Sequence, residues 1–337
     1  MKTDISILSP AAAAAVYTTN LVKGAPLTVT KTNIENGTAQ AIICNSGNAN
    51  TCNANGIEIA TDMCKITAEQ LGINPDDVIV ASTGVIGQPL DITPIKNGIE
   101  SLCSGLTEGS ELAAEGIMTT DTVKKQVAVS FNISGVECKL GGIAKGSGMI
   151  HPNMATMLVF ITTDCAISHE MLQKALSIQN TFNMVSVDGD TSTNDMVAVL
   201  ANGAAGNEEI TADGDAFNTF MKALNTVTVE LCKLIAGDGE GASKRIECAV
   251  TKAESLDIAK TVAKAVVCSS LTKAAMFGAD ANWGRVLCAI GYSGAAVDVN
   301  KIDVAFSSDK GTVSVCKGGF GIPFSEEKAK DILLQRD

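Results

Sequence analysis

Short runs of β-branched and apolar residues alternate along this chain with longer segments whose apolar residues recur every three or four positions. That alternation does most to narrow the fold. Runs at 41–44 (AIIC), 77–82 (DVIVAS), 126–133 (QVAVSFNI), 156–163 (TMLVFITT) and 311–316 (GTVSVC) predict strands. Between them, residues 56–72 place Ile57, Ala60, Cys64 and Leu71 near one helical face, and residues 254–278 predict a long helix by the same periodicity. Strands interleaved with helices imply an α/β fold in which helices cover sheet. A chain of 337 residues, 46% apolar and 18% charged, has room for two domains or one large α/β body. The opening segment, residues 1–17, resembles a secretion signal. Asp4 and Pro10 interrupt its apolar stretch, so a buried strand and turn is expected instead.

Charge and cysteine usage exclude several classes. A net charge of −12 with scattered lysines provides no clustered basic face for nucleic acid. No apolar run approaches the ~20 residues of a membrane span. The eleven cysteines include no C-x-x-C pair, and the nearest two, Cys44 and Cys52, stand in a Gly/Asn-rich stretch, so no metal framework is expected. Segments such as AVVCSS and RVLCAI place thiols in apolar surroundings, which suits a reducing and hence cytoplasmic compartment.

The chemistry concentrates around residues 141–155 (GGIAKGSGMIHPNMA), a stretch with four glycines and no periodicity that precedes the strand run beginning at Thr156. It has neither the phosphate-loop spacing nor the third glycine of a dinucleotide turn. Residues 188–195 (DGDTSTND) lack the glycine and glutamate positions of a calcium loop, and a turn followed by a capped helix is expected there. Ser270 and Lys273 fit S-x-x-K, but inside a helical pattern and without the companion K-T-G. The two histidines are His151, near Thr156, and His169, which should open a helix and face solvent. The residues alone leave three readings of Thr156: an ordinary strand start, a nucleophile activated by His151, or a threonine that becomes an N-terminus by cleavage of the bond after Ala155. In the last case its α-amine, with a pKa of ~8, can take the proton of its own hydroxyl.

Several motifs, taken together, are similar to the ornithine acetyltransferase family, the bifunctional glutamate N-acetyltransferase/amino-acid acetyltransferase of arginine biosynthesis. They are KGSGMIHPNMATMLVFITTD (145–164), PAAAAAVYTTNLVKGAP (10–26), NSGNAN (45–50), VASTGVIG (80–87), IMTTDT (117–122), VDGDTSTND (187–195), GDGEGASK (237–244) and FGADANWGRVLCAIGYSG (277–294), in family order over nearly the whole chain. The resemblance implies a self-processed, layered α/β sandwich like that of N-terminal-nucleophile enzymes. It implies cleavage between Ala155 and Thr156 into an α chain, 1–155, and a β chain, 156–337, assembled as an α2β2 heterotetramer. Thr156 would then be the nucleophile that accepts acetyl from N2-acetylornithine and passes it to glutamate, with acetyl-CoA a further substrate in some members and no cofactor. Thr83 and Gly84 would form the oxyanion site, and Thr119, Lys145 and Glu240 would bind substrate, with Asp238 a solvated neighbour. For Trp283 and Arg285 a packed turn and helix start is expected, and NSGNAN should satisfy its own turn backbone.

Members of the family begin earlier and continue past the equivalent of residue 337, so a pocket short of its last polar contacts and a weakened transfer activity are expected for the chain as given. The alternatives carried forward are a related self-processed amidase or aminopeptidase, in which water replaces glutamate, and an inactive shortened homologue.

Overall fold

The computed structural model describes residues 2–106, 110–151, 157–178 and 181–334. Contacts divide them into two compact units, one of Met1–Asn183 with Asp190–Glu240, the other of Met184–Gly189 with Gly241–Asp337.

The first unit is built on seven strands: β1 (Lys2–Tyr17), β2 (Thr38–Asn48), β3 (Val78–Val85), β4 (Lys125–Ile133), β5 (Val136–Lys145), β6 (Leu158–Thr163) and β7 (Met196–Ala201). Their order is β3-β2-β1-β7-β6-β5-β4, with β2–β3 and β6–β7 parallel and the other pairs antiparallel. Six helices accompany them: α1 (Ala25–Asn33), α2 (Gly56–Leu71), α3 (Thr93–Ser104), α4 (Ser110–Gly116), α5 (His169–Ile178) and α6 (Asp215–Gly237). Side chains alternate between faces along a strand. Ala41, Ile43, Val78 and Val80 pack on Ile59, Ala60, Met63 and Cys64 of α2. Their neighbours Ile42, Cys44, Ile79 and Ala81 share the opposite core with Leu158 and Phe160 of β6 and Met196 and Ala198 of β7. β3 and β6 are four places apart in the strand order, about 19 Å in a flat sheet at ~4.8 Å per strand. A common core is open to them only if the sheet folds over on itself. On its far side α6 covers β4, where Phe220 meets Phe131 edge to face with ring centroids 6.2 Å apart. Helix, sheet, sheet and helix thus make the expected layered α/β sandwich.

The second unit contains α7 (Leu256–Cys268), α8 (Ser270–Phe277), α9 (Trp283–Gly291) and α10 (Glu326–Leu333), with an antiparallel sheet ordered β10-β9-β8 from β8 (Val304–Ser308), β9 (Gly311–Lys317) and β10 (Phe320–Gly321). As expected, Trp283 and Arg285 form a helix start. Asn282 Oδ1 accepts from Arg285 N at 3.2 Å, and Arg285 Nη1 donates to Leu271 O at 2.9 Å.

Five expectations need correction. The opening segment has no turn: β1 runs unbroken, and Pro10 sits at a shift of register between Ile7 and Ala11, a place where a strand tolerates a missing N–H. Ile57 is exposed, because the buried stripe of α2 starts from Gly56 and runs through Ile59, Ala60, Met63, Cys64, Thr67 and Ala68. Residues 254–278 form two helices. Ser269 adopts extended backbone and its hydroxyl accepts from Thr272 N, capping α8 in place of continuing α7. Ser269→Ala is expected to cost about 1 kcal/mol, visible as a lower denaturation midpoint with an unchanged slope. Residues 188–195 lead into β7, because MVAVLA is buried along its whole length between β1 and β6. His169 is half-buried, and its Nδ1 lies 2.7 Å from Ala13 O.

All eleven cysteines are free thiols, and six are buried, but Cys288 is exposed and Cys268 half-buried, so not all have the apolar surroundings expected of them. No helix among the described residues is long and apolar enough to cross a membrane, and no three His, Cys, Asp or Glu side chains among them are grouped to hold a metal.

Candidate active site

Thr83 and Gly84 are in the last three residues of β3, not in a turn after it, and β2 ends beside them, with Gly47 opposite Gly84 in the parallel register. Gly84 has φ +125°, and a Cβ there would lie 2.3 Å from Gly47 C, so only glycine fits. The asparagines of NSGNAN hold the neighbouring turn as expected. Asn45 Nδ2 donates to Asn48 O, Asn48 Nδ2 to Gln88 O, and Asn50 Nδ2 to Gly56 O, each at 2.9 Å. Asn194, just before β7, ties this turn to the opposite sheet. Its Nδ2 donates to Ala49 O at 2.6 Å and Ser82 O at 2.9 Å, while its Oδ1 accepts from Thr51 Oγ1 at 2.6 Å.

Lys145 closes β5 and is buried, not a surface lysine. Its Nζ stands 3.4 Å from Thr83 Oγ1. In a flat sheet these strands, five places apart, would be separated by about 24 Å, so the fold-over of the sheet is what makes the site. Burial depresses the Lys145 pKa, with the carboxylate of Asp121 opposing it. Asp121 Oδ1 accepts from Gly146 N at 2.7 Å and from Lys125 Nζ at 2.6 Å, and Lys125 Nζ donates equally closely to Asp238 Oδ2. Burial would raise the Asp121 pKa. The charge of Lys145, the Lys125 hydrogen bond and the Gly146 N–H outweigh it and hold Asp121 below the usual carboxylate range.

That buried cluster registers the remaining candidates. Thr119 is exposed, with its N–H on Asp121 Oδ2 at 3.1 Å. Asp238 is buried and ion-paired, contrary to the expectation of a solvated residue, and it accepts from Thr122 N, Thr122 Oγ1 and Val123 N. Ser147 Oγ donates to Asp238 O at 2.7 Å, and Glu240 N to Ser147 O at 3.0 Å. Glu240 itself is exposed, and its carboxylate lies against Gly148, where a Cβ would come within 2.5 Å of Oε1.

Thr83, Lys145, Gly148, Met157 and Asp195 line one pocket. The structure therefore brings Thr83 and Lys145 around a common space, sets the Glu240 carboxylate behind the pocket residue Gly148, and attaches Thr119 through Asp121. Ala155 and Thr156 lie outside the described residues, but Met157, which follows Thr156 in the chain, is part of the pocket wall. The carbonyl of His151 accepts from Thr191 Oγ1 at 2.7 Å.

A family model described as ArgJ family matches residues 2–337. The chain belongs to the ArgJ family. It is 49% identical over 339 residues to the arginine biosynthesis bifunctional protein ArgJ 1 of Clostridium acetobutylicum, covering 98% of this chain and 83% of that protein. It is 50% identical over 327 residues to the arginine biosynthesis bifunctional protein ArgJ of Caldanaerobacter subterraneus subsp. tengcongensis, covering 96% and 81%. A crystal structure of ornithine acetyltransferase complexed with ornithine from Mycobacterium tuberculosis is 32% identical, with a TM-score of 0.40, and covers 46% of this chain and 92% of that one.

In this ArgJ-family chain the residues that organise the site are not the ones its sequence advertises. Sequence reasoning does not single out Asp121, Lys125, Asn194 or Asp195. The one available signal was that Asp121, Asn194 and Asp195 fall inside stretches already singled out, IMTTDT and VDGDTSTND.

Proposed function

We propose that this chain works in arginine biosynthesis by moving an acetyl group from N2-acetylornithine to glutamate through an acetyl ester on Thr156. The threonine is freed by cleavage of the chain between Ala155 and Thr156. The observation that carries this reading is the convergence of Thr83 at the end of β3, Lys145 and Met157 on one pocket of a chain in the ArgJ family. The end of β3, with the Thr83 hydroxyl and the Gly84 N–H, supplies donors for the oxyanion of both half-reactions. Lys145 offers a buried cation to a substrate carboxylate, and Glu240 an anion to the side-chain amine of ornithine. Acetyl-CoA enters as a second acetyl donor, a substrate and not a resident cofactor. The site of action is the cytoplasm.

The fragments 1–155 and 156–337 are expected to stay together, because β5 and β6 lie on either side of the cut and pair along Leu140–Lys145 and Leu158–Thr163. Two such pairs would make up the α2β2 assembly that the proposal includes. Intact-mass measurement of the purified protein should give these two pieces, whereas Thr156→Ala should give one and Thr156→Ser should still cleave, more slowly. Efficient cleavage of the alanine variant overturns the nucleophile assignment. Initial rates varied over both substrates should give parallel double-reciprocal lines, with acetyl recoverable on the Thr156 peptide. Intersecting lines and an unlabelled peptide would point to direct transfer, and release of free acetate in place of N-acetylglutamate to an amidase.

A further inference from the structure

The ester mechanism leaves a proton unaccounted for. Ornithine departs as an ammonium ion and glutamate arrives as one, yet only the free amine can be expelled from, or attack, an acetyl carbonyl. One pocket residue has no part so far. Asp195 is 2% exposed, lines the pocket with Thr83, Lys145 and Met157, and its Oδ2 has no hydrogen-bond partner. Its backbone is pinned on both sides: Thr18 N donates to Asp195 O at 3.0 Å, and Met196 N, the next residue, to Met157 O at 2.9 Å. A buried polar atom without a partner is rare in a folded protein and calls for an explanation, a catalytic role among them.

We propose that Asp195 is the proton reservoir of the acetyl transfer, giving its proton to the departing amine and taking one from the arriving ammonium through its unpartnered Oδ2. The proposal rests on the acetyl-transfer reading and adds a role to the same site. Burial pushes the Asp195 pKa well above the usual carboxylate range, against the Ser192 hydroxyl, the charge of Lys145 and the Thr18 hydroxyl. Burial thus favours the protonated acid as the resting form. Beyond Lys145 stand the Asp121 carboxylate and the Cys44 thiol, both of which face that lysine.

The balance closes over two steps. In the first, Thr156 Oγ bonds to the acetyl carbon while its hydroxyl proton passes to the α-amine of the same residue. Asp195 gives its proton to the nitrogen as the C–N bond breaks, and the α-amine then passes on the hydroxyl proton, leaving ornithine as the ammonium and Asp195 as the carboxylate beside Lys145. In the second, the carboxylate takes a proton from the glutamate ammonium, the free amine attacks the ester carbon, and the C–O bond breaks. A further amine proton returns to Thr156 Oγ. Asp195 ends protonated, as it began.

Two substrates bypass the reservoir. p-Nitrophenyl acetate expels an anion that needs no proton, and hydroxylamine is already a free base at pH 7. Asp195→Asn, after its cleavage is confirmed by mass, should slow single-turnover acetylation by acetylornithine and deacetylation by glutamate by about 10²–10⁴-fold, the ordinary contribution of a positioned acid or base. The nitrophenyl ester and hydroxylamine should lose at least about tenfold less. Equal losses across all four overturn the reservoir while leaving the acetyl-enzyme intact. Failure of the unmodified protein to form acetyl-enzyme from either donor overturns the transfer reading and the reservoir with it. The unmodified protein gives a test that needs no variant. The ratio of its acetylation rate with acetylornithine to that with the nitrophenyl ester should fall as pH rises and Asp195 ionises, and a flat ratio rejects the proposal.

Discussion

Lys125→Met is expected to lower the unfolding free energy by about 3–5 kcal/mol, the cost of removing one partner from a buried ion pair. Lys125 is fully buried, and its Nζ bridges Asp121 and Asp238 at 2.6 Å each, with both carboxylates nearly inaccessible. Methionine matches the stem but leaves two buried anions facing each other. The pH dependence identifies the mechanism. In the native protein Asp121 and Asp238 are both held below the ordinary carboxylate pKa. They therefore add stability that is present above about pH 4, the unfolded value, and that is lost as pH falls through their lower folded values. Without Lys125, Asp238 has only the Thr122 hydroxyl and nearby N–H groups to set against burial, and its pKa rises. A carboxylate with a raised folded pKa destabilises above that pKa and recovers once protonated. The stability gap between variant and native protein should accordingly narrow between pH 7 and about pH 4, measured by denaturant melts at each pH. A constant gap would assign the loss to packing alone. Because the cluster also holds Gly146 and, through Asp238 and Ser147, Glu240, the folded fraction of the variant should show a raised KM for both substrates.

This cluster marks where sequence reading stops. Strands such as 77–82 and 126–133 were legible because their apolar patterning is local, and so was the layered α/β class. A lysine four residues after an aspartate, as Lys125 follows Asp121, reads as a solvated pair. Its burial depends on Asp238, 113 residues away, arriving through α6. Asp195 was hidden in the same way. Nothing in DGDTSTND says that a strand follows it, and only the pairing of β7 with β1 and β6 places its carboxyl in the pocket. Thr83, Gly84, Lys145 and Glu240 came from the resemblance and not from periodicity, and the structure supplies what the resemblance lacked. The sheet folds over and brings residues 62 apart in the chain to 3.4 Å. The helix break at Ser269 and the exposed Ile57 were misread for a more local reason. Capping and the first turn of a helix depend on single backbone angles that a periodicity count does not see.

Thr83→Ala is expected to reduce kcat by about 10²–10³-fold, the usual effect of losing one oxyanion donor, with little change in KM. The hydroxyl is half-buried at the end of β3, and Lys145 Nζ, at 3.4 Å, makes a long hydrogen bond to it, so the hydroxyl can turn toward a developing anion without abandoning a strong partner. A donor aimed at the tetrahedral oxygen contributes little while the acetyl carbonyl is still planar, and this is why the loss belongs in kcat. Both half-reactions pass through such an oxygen. Acetylation and deacetylation should therefore slow with every donor and acceptor, the nitrophenyl ester and hydroxylamine included, unlike the selective losses expected for Asp195→Asn. Gly84→Ala should be more damaging still. Its φ of +125° strains any side chain, and the added Cβ, 2.3 Å from Gly47 C, would push the ends of β2 and β3 apart. That displacement would move the Thr83 hydroxyl and the adjacent N–H together, so the alanine variant of Gly84 should lose more than the Thr83 variant in kcat and some stability as well. A Thr83 variant that changes only KM would make the threonine a substrate-binding residue and leave the oxyanion to other donors.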